Sequence, residues 1–187
     1  MREGGSQITL AFSSDLQKGE INMKTQKLAF LAAFALCAFA APAGAQSVTR
    51  LPLANPTVPI VSAVTVPAGY TTHYISGIPG GPKNPNAPEG SADRWGDTAQ
   101  QTSDVLDKLE AVLKQLGLNY GDVVKATVFL VADPHNGGKI NFPAMNAEWG
   151  KRFGTATQPN KPARSTVQVG LATPGPLVEI ELVAVKK

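Results

Sequence analysis

The chain has 187 residues, of which 43% are hydrophobic and 17% are charged, which suits one globular domain with an additional tail. Its formal net charge of +3 is too small to indicate nucleic-acid binding by itself, and no run of five or six basic residues occurs. Charge therefore gives no indication of a partner.

A secretory signal peptide is predicted at residues 23–45. The short basic segment Met23–Lys27 precedes the apolar run Leu28–Ala41, and Ala43 and Ala45 place small residues where a signal peptidase reads. The apolar run is too short for a membrane-spanning helix, which needs about 20 residues. We expect cleavage after Ala45 and a periplasmic or secreted protein with no membrane attachment after cleavage; the alternative is a buried N-terminal helix.

The segment before the signal peptide and the single cysteine bear on the mature protein. Residues 1–22 are polar and unpatterned, so we expect an upstream extension with Met23, rather than Met1, as the true start. The only cysteine, Cys37, would leave with the signal peptide, which excludes disulfides, thiolate catalysis and Cys-ligated metals from the mature protein. No repeat is visible, and residues 46–187 are predicted to form a single domain.

This domain begins with two predicted strands. The extended segment Gln46–Pro67 is rich in Pro, Val and Thr and contains a short strand near Val58–Val66. The β-branched and aromatic residues of Tyr70–Ile78 predict a second strand. The Gly-, Pro- and Asn-rich segment that follows, up to Asp97, predicts a loop.

Two amphipathic helices are predicted. The helix Thr98–Leu116 carries one apolar stripe at helical spacing: Val105, Leu106, Leu109, Val112, Leu113 and Leu116. Thr98 with Gln101 resembles a capping box, and Gly117 suits the position just past the end of the helix. Asn141 is expected to cap the second helix. The apolar residues of this helix are Phe142, Met145, Trp149 and Phe153.

The remaining strands complete an α+β pattern. The nearly all-apolar segment Val123–Val131 predicts a central strand, followed by a loop at Asp133–Lys139. Pro162–Glu181 reads as two strands joined in a hairpin by the turn Thr173–Pro176. The order β-β-α-β-α-β-β predicts one mixed sheet with two helices packed on one face.

The predicted hairpin carries the candidate site. Because side chains change face at every residue of a strand, Arg164 and Thr166 share one face, and Glu179 and Glu181 share one face of the next strand. If the hairpin places those faces together, a guanidinium and carboxylates lie over a nearly apolar sheet. Charged side chains on an apolar surface usually have a partner of opposite charge or a functional role.

These charges indicate carboxylate recognition combined with attack by water. Arg164 offers a planar fork of donors that fits a carboxylate, and Glu179 can orient or deprotonate a water molecule. The alternative is an Arg164–Glu179 salt bridge with a structural role only. His73 and His135 lack metal-ligand spacing, and Trp95 could line the edge of a pocket.

One face of the predicted sheet has no cover. Two helices bury one face only, and the other would expose Arg164, Thr166 and Glu179 among the apolar residues Val183 and Val185. Such a face is normally buried by association with other copies. The pattern therefore predicts a homo-oligomer with charged sites near the subunit borders.

A family resemblance adds to this interpretation. The motif P-A-R-S at Pro162–Ser165, followed by Gly170, Ala172 and V-E-I at Val178–Ile180, resembles the signature of the Rid (YjgF-type) reactive-intermediate deaminase family, which includes endoribonuclease L-PSP-like proteins. The segments G-D-V-V-K-A-T-V-F-L and F-P-A-M-N-A-E-W are similar to the middle section and second helix of that family. The resemblance covers about residues 70–185.

The resemblance implies a chorismate-mutase-like fold of the bacillus type and a homotrimer that binds ligands in clefts between its subunits. By the same resemblance, Arg164 would grip the carboxylate of a 2-imino acid, and Glu179 would position or activate the water. The residues implied to line the cleft are Ser76, Gly77, Asn146 and the backbone near Thr166. The implied reaction is hydrolysis of the imine to a 2-oxo acid and ammonia, with no metal or organic cofactor.

The chain also departs from the family pattern. Pro59-Ile60 stands where many deaminases have a Tyr after a Pro, and Thr166 stands where Cys is frequent. The loops Pro82–Asp97 and Pro134–Ile140 are longer than in compact members.

A non-catalytic protein of the same fold, binding small carboxylates or acting as a chaperone-like surface, is the alternative function. A ribonuclease reading lacks both a basic groove and a His pair, so no nucleic acid is expected.

Analytical ultracentrifugation or light scattering at micromolar concentration is expected to show an oligomer, because the uncovered sheet face would otherwise expose apolar residues to water. A monomer under those conditions contradicts the prediction.

Overall fold

The computed structural model describes residues 46–187, and the predicted upstream extension, the signal peptide and Cys37 lie outside the described residues. The strands are β1 (Thr49–Pro52), β2 (Val61–Thr65), β3 (Thr71–Pro79), β4 (Val123–Leu130), β5 (Ala163–Gln168) and β6 (Val178–Lys186). The helices are α1 (Ala92–Trp95), α2 (Thr98–Gln115) and α3 (Phe142–Gly150). Two single 3-10 turns, Tyr120–Asp122 and Pro134–Asn136, flank β4.

The main sheet has four strands in the order β3-β6-β4-β5. β6 is antiparallel to both β3 and β4, whereas β4 and β5 are parallel. The expected mixed sheet with two helices on one face is therefore confirmed, and β4 holds the central position that its apolar sequence predicted. Its residues facing the helices are buried, and those on the opposite face are partly exposed.

The core lies between the sheet and the helices α2 and α3. The stripe of α2 supplies four almost fully buried residues: Val105, Leu106, Leu109 and Leu113. From α3 and the turn after it, Met145, Trp149 and Phe153 are at most 1% exposed, and the Trp149 and Phe153 rings stack at 4.2 Å between centroids. Burying large apolar side chains at these positions is the main stabilising contribution to the fold.

The start of α2 differs from the sequence prediction. Asp97, not Thr98, is the N-cap, and it exchanges hydrogen bonds with Gln100 in a capping box. The Thr98 backbone N–H is instead taken by the buried Asp133 carboxylate, so it is not free to start such a box. At the other end, Gly117 has φ of +69°, the left-handed conformation predicted for a residue just past a helix.

The strand predicted near Val58–Val66 lies outside the main sheet. It is β2, and it pairs with β1, which the sequence analysis missed, in a separate antiparallel hairpin. Hydrogen bonds fasten this hairpin to the domain: Val61 N–H donates to the Pro162 carbonyl at 3.1 Å, and Trp149 Nε1 donates to the Pro59 carbonyl at 2.9 Å. The Arg50 guanidinium of β1 also donates to the carbonyls of Gly121, Val123 and Lys161, each at 3.1 Å. The predicted loop before Asp97 also contains the short helix α1.

The predicted hairpin between β5 and β6 is wrong, because β4 lies between them. The connecting segment passes the end of β4, where Val169 N–H donates to the Leu130 carbonyl and Val131 N–H donates to the Leu177 carbonyl, both at 2.9 Å. A connection of nine residues is long enough to step over one strand, whereas adjacent antiparallel strands are usually joined by two to five.

Among residues 46–187, no helix combines the length and apolar character needed to cross a membrane. Within the same range, no group of three or more His, Cys, Asp or Glu side chains is arranged to hold a metal ion.

Replacing Asp133 by Ala is expected to lower the free energy of unfolding by about 3 kcal/mol. The fully buried carboxylate accepts hydrogen bonds from Thr98 N, Thr98 Oγ1 and His135 N at 2.6–2.9 Å, and the substitution leaves these donors without an acceptor. Urea denaturation at fixed protein concentration measures the change. The control is Asp107→Ala, which removes an exposed ion pair with Arg152 and should cost less than about 1 kcal/mol; equal losses would contradict the prediction.

Candidate functional site

The strand register separates the two predicted site charges. Arg164 is paired with Ala126 of β4, which is paired in turn with Leu182 of β6, and both of these partners are buried under the helices. Glu179 is paired with Phe129, on the opposite face of the sheet. The expectation that Arg164 and Thr166 share the uncovered face with Glu179 is therefore wrong. The intervening strand changes the pairing on which that expectation depended.

Arg164 lies at the sheet edge against α3. Its Nη2 donates to Asn146 Oδ1 at 2.8 Å, and its Nη1 lies 3.9 Å from Met145 Sδ. The guanidinium carbon is 4.9 Å from the Trp149 ring centroid and 5.7 Å from that of Phe142. A flat cation between aromatic faces is held by cation–π attraction, which fixes its orientation without neutralising its charge.

The Arg164 guanidinium is partly buried, and no acidic neighbour among the described residues offsets the effect of burial on its pKa. Desolvation lowers the pKa of Arg164 to about 10. Of the ion pairs formed within residues 46–187, none includes Arg164, so the alternative of an internal Arg164–Glu179 salt bridge does not describe this chain. A partly buried guanidinium whose two hydrogen-bond partners, Asn146 Oδ1 and Met145 Sδ, are both neutral retains donors for an anion.

Thr166 follows Arg164 on the same face of β5. Its Oγ1 is buried and has no hydrogen-bond partner within the described part of the chain. A buried hydroxyl without a partner costs free energy, and such groups in native proteins commonly await a ligand or a water molecule. Arg164, Thr166 and Asn146 thus form one cluster of polar groups, which we call the arginine half-site.

Glu179 belongs to a second cluster on the uncovered face. A Cβ built on Gly77 would overlap the Glu179 carboxylate, so the absence of a side chain at Gly77 gives the carboxylate its place. Ser76 and Gly77 lie in an irregularity of the β3–β6 pairing between Ile75 and Ile78, where a bulge redirects the backbone. Ser76, Gly77 and Glu179 form the glutamate half-site.

The two half-sites of one chain cannot act on the same small molecule. Arg164 and Glu179 stand two strands apart, about 10 Å across the sheet, and their registers differ by three residues, about 10 Å along it. Their side chains also project from opposite faces. One chain therefore offers a carboxylate-binding cluster in one place and a candidate general base in another.

The other residues considered from the sequence lie elsewhere. His73 is on β3, and His135 is in the 3-10 turn after β4, so the described structure does not bring the two histidines together. The apolar spacing of the second helix predicts a core position for Trp149, and it does not indicate that Trp149, Phe142 or Met145 contacts Arg164. The available signal was their spacing with Asn146, which puts these residues on neighbouring faces of one helix.

Comparison with known proteins gives consistent matches. Residues 55–186 match the family model described as endoribonuclease L-PSP. A RutC family protein of Haemophilus influenzae is 37% identical over 106 residues, 57% of this chain and 74% of the relative. Protein DfrA of Myxococcus xanthus is 34% identical over 127 residues, 68% and 85% of the two chains. The crystal structure of YyfB, a conserved Rid family protein of unknown function from Yersinia pestis, is similar with a TM-score of 0.55 and 27% identity, covering 74% of this chain and 98% of that one.

Replacing Arg164 by Met is expected to leave the free energy of unfolding unchanged or to raise it by about 1 kcal/mol, because a desolvated charge without an anionic partner is removed from the protein. Urea denaturation in a buffer free of carboxylates provides the measurement. Arg152→Met is the matched control and should destabilise slightly, because Arg152 bonds Asp107 at 2.6 Å. A loss above about 2 kcal/mol for Arg164→Met would show that the guanidinium is structural.

Proposed function

The chain belongs to the endoribonuclease L-PSP family, the Rid/YjgF group, and on that premise we propose that it hydrolyses reactive enamines and 2-imino acids to 2-oxo acids and ammonia, in clefts between the subunits of a homotrimer. The reaction requires a group that holds a carboxylate and a group that handles water. Arg164 and Glu179 are the residues of this chain that we assign to these roles.

The separation of the half-sites is the observation that carries the proposal. Each chain holds a cation without an acidic partner on one face and a carboxylate on the other. The arginine half-site of one subunit can meet the glutamate half-site of the next when copies associate around a closed axis. The uncovered sheet face, where the Tyr74 side chain is 83% exposed, offers a surface for that association.

In the proposed reaction, the Arg164 guanidinium holds the substrate carboxylate and places the protonated imine carbon in reach of a water molecule. Glu179 takes a proton from the water as its oxygen bonds to that carbon, which gives a carbinolamine. Glu179 returns the proton to the nitrogen, and the C–N bond breaks. Ammonia leaves and takes up the hydroxyl proton, and the new C=O bond completes the 2-oxo acid. Positioning supplies most of the catalysis, because a protonated imine is already electrophilic.

The surroundings of Arg164 support substrate binding of this kind. Phe142, Met145 and Trp149 exclude water from one side of the guanidinium, which strengthens its attraction for a carboxylate. The unpartnered Thr166 hydroxyl is available to a second polar atom of the ligand. Thr166 replaces the Cys frequent in the family, so the range of substrates is expected to differ from that of the compact deaminases.

The activity is tested by generating 2-imino acids with an amino-acid oxidase while semicarbazide competes for them. The wild-type protein should divert imine from semicarbazide to 2-oxo acid. Glu179→Gln should lower this diversion by about 100-fold or more, the size typical for loss of a general base. Arg164→Gln should lower it by about 10-fold or more, because charge-assisted hydrogen bonds to the substrate carboxylate are lost. Arg152→Gln, on the exposed surface, is the matched control and should retain wild-type activity.

A complementation experiment tests the sharing of the cleft. Arg164→Gln and Glu179→Gln chains with different tags are co-expressed, and trimers that carry both tags are purified. Every mixed trimer then contains one cleft with both wild-type residues, so about one third of wild-type activity is expected. Trimers that carry both tags and stay inactive would contradict sharing between subunits, without bearing on the roles that the single variants test.

If the wild type binds carboxylates in an Arg164-dependent manner but leaves imine lifetimes unchanged, the deaminase proposal fails and the non-catalytic alternative replaces it. An RNA-cleaving activity that stays with the protein through purification, and that Glu179→Gln abolishes, would favour the nuclease activity that the family name describes. Intact RNA would exclude that activity.

A further inference from the structure

A cavity lies at the end of the sheet where β4 ends and β6 begins. It encloses about 740 Å³, a size typical of small-molecule sites. Three segments line it: Glu89–Gly96 without Asp93, Val131–His135 without Asp133, and Pro174–Leu177. None of the residues of the arginine and glutamate half-sites contributes to it, so this loop cavity is a separate feature.

Its aromatic wall is held in place by the backbone. Gly175 has φ of +110°, and a Cβ built there would overlap the Trp95 indole, so the ring lies directly against the turn before β6. Pro134, Pro174 and Pro176 add three further rigid apolar surfaces. A preformed wall with one flat aromatic ring favours a flat ligand, because neither partner loses much conformational freedom on binding.

The supporting loops are also anchored from inside. Buried Asp133 ties the Val131–His135 segment to the start of α2. Gln101 Oε1 accepts the Leu177 backbone N–H at 2.7 Å and so fixes the neighbouring Pro174–Leu177 segment. These contacts fix the positions of two of the three segments that line the cavity.

Arg94 supplies a positive charge at the same cavity. Its Nη1 donates to the carbonyls of Pro85 and Ala87, the latter at 2.7 Å, which orients the guanidinium. Within residues 46–187 its Nε and Nη2 have no acceptor and no acidic residue forms an ion pair with it. Nε and Nη2 form the edge that a carboxylate takes with two parallel hydrogen bonds.

We propose that the loop cavity binds a small aromatic carboxylate, with the carboxylate on the free edge of Arg94 and the ring against Trp95. The exposed Glu89 at the same cavity favours a single negative charge over a dicarboxylate. This proposal does not depend on the hydrolysis of imines. The ligand of the loop cavity and the activity of the proposed cleft are therefore tested independently.

Binding is tested with phenylacetate, followed by calorimetry and by quenching of tryptophan fluorescence. The protein used is Arg164→Gln, which lacks the other carboxylate anchor. Saturable binding with a dissociation constant of about 1 mM or tighter is expected. Phenylacetamide, which has the same ring without the charge, should bind at least about 10-fold more weakly.

Two further variants, each in the Arg164→Gln protein, locate the ligand. Arg94→Gln removes the charge, and Ala132→Phe introduces a large side chain into the cavity from a different segment of the chain; each should weaken phenylacetate binding about 10-fold or more. Circular dichroism checks that both remain folded, and the amide comparison needs neither variant. Absence of saturation at about 20 mM, equal affinity for the amide, or unchanged binding in a folded Ala132→Phe protein would each overturn the proposal.

Discussion

The insertion of β4 between β5 and β6 is the constraint on which the candidate site depends. Had the two strands formed a hairpin, Arg164 and Glu179 could have neutralised each other inside one chain. With a strand between them, the register sends one charge toward the helices and the other to the uncovered face. A single subunit thus carries two separate clusters, and the proposed activity requires that a second subunit bring an arginine half-site and a glutamate half-site together.

The contacts around Arg164 show how a protein keeps a cation reactive toward anions. Asn146 orients the guanidinium through a neutral hydrogen bond, and the rings of Trp149 and Phe142 hold its faces. A carboxylate in the same place would bind the charge more strongly, but it would also compete with any ligand. Desolvation without neutralisation costs stability, and that cost is the usual consequence of preparing a binding site in advance.

The same fold carries a second set of loops at the end of the sheet. Buried polar side chains stabilise them: Asp133 and Gln101 each bond backbone groups of a loop, which holds irregular segments in fixed positions. Trp95 and Arg94 lie on the short helix α1, which lines the same cavity as these loops. The anchored loops therefore help to define the surroundings of both side chains. Long loops therefore add a cavity here without disturbing the sheet that carries the half-sites.

The sequence by itself determined the two long helices and the strands of the main sheet, but not β1 or the short helix α1. Apolar periodicity placed α2 and α3, the run Val123–Val131 identified the central strand, and the motif around Arg164 and Glu179 indicated the family. These signals are local, since they depend on residues close together in the chain. Only the tertiary structure decided the strand order and the face on which each charge lies. Strand order depends on how a nine-residue connection packs against the end of β4, and one intervening strand reverses a conclusion drawn from alternation alone.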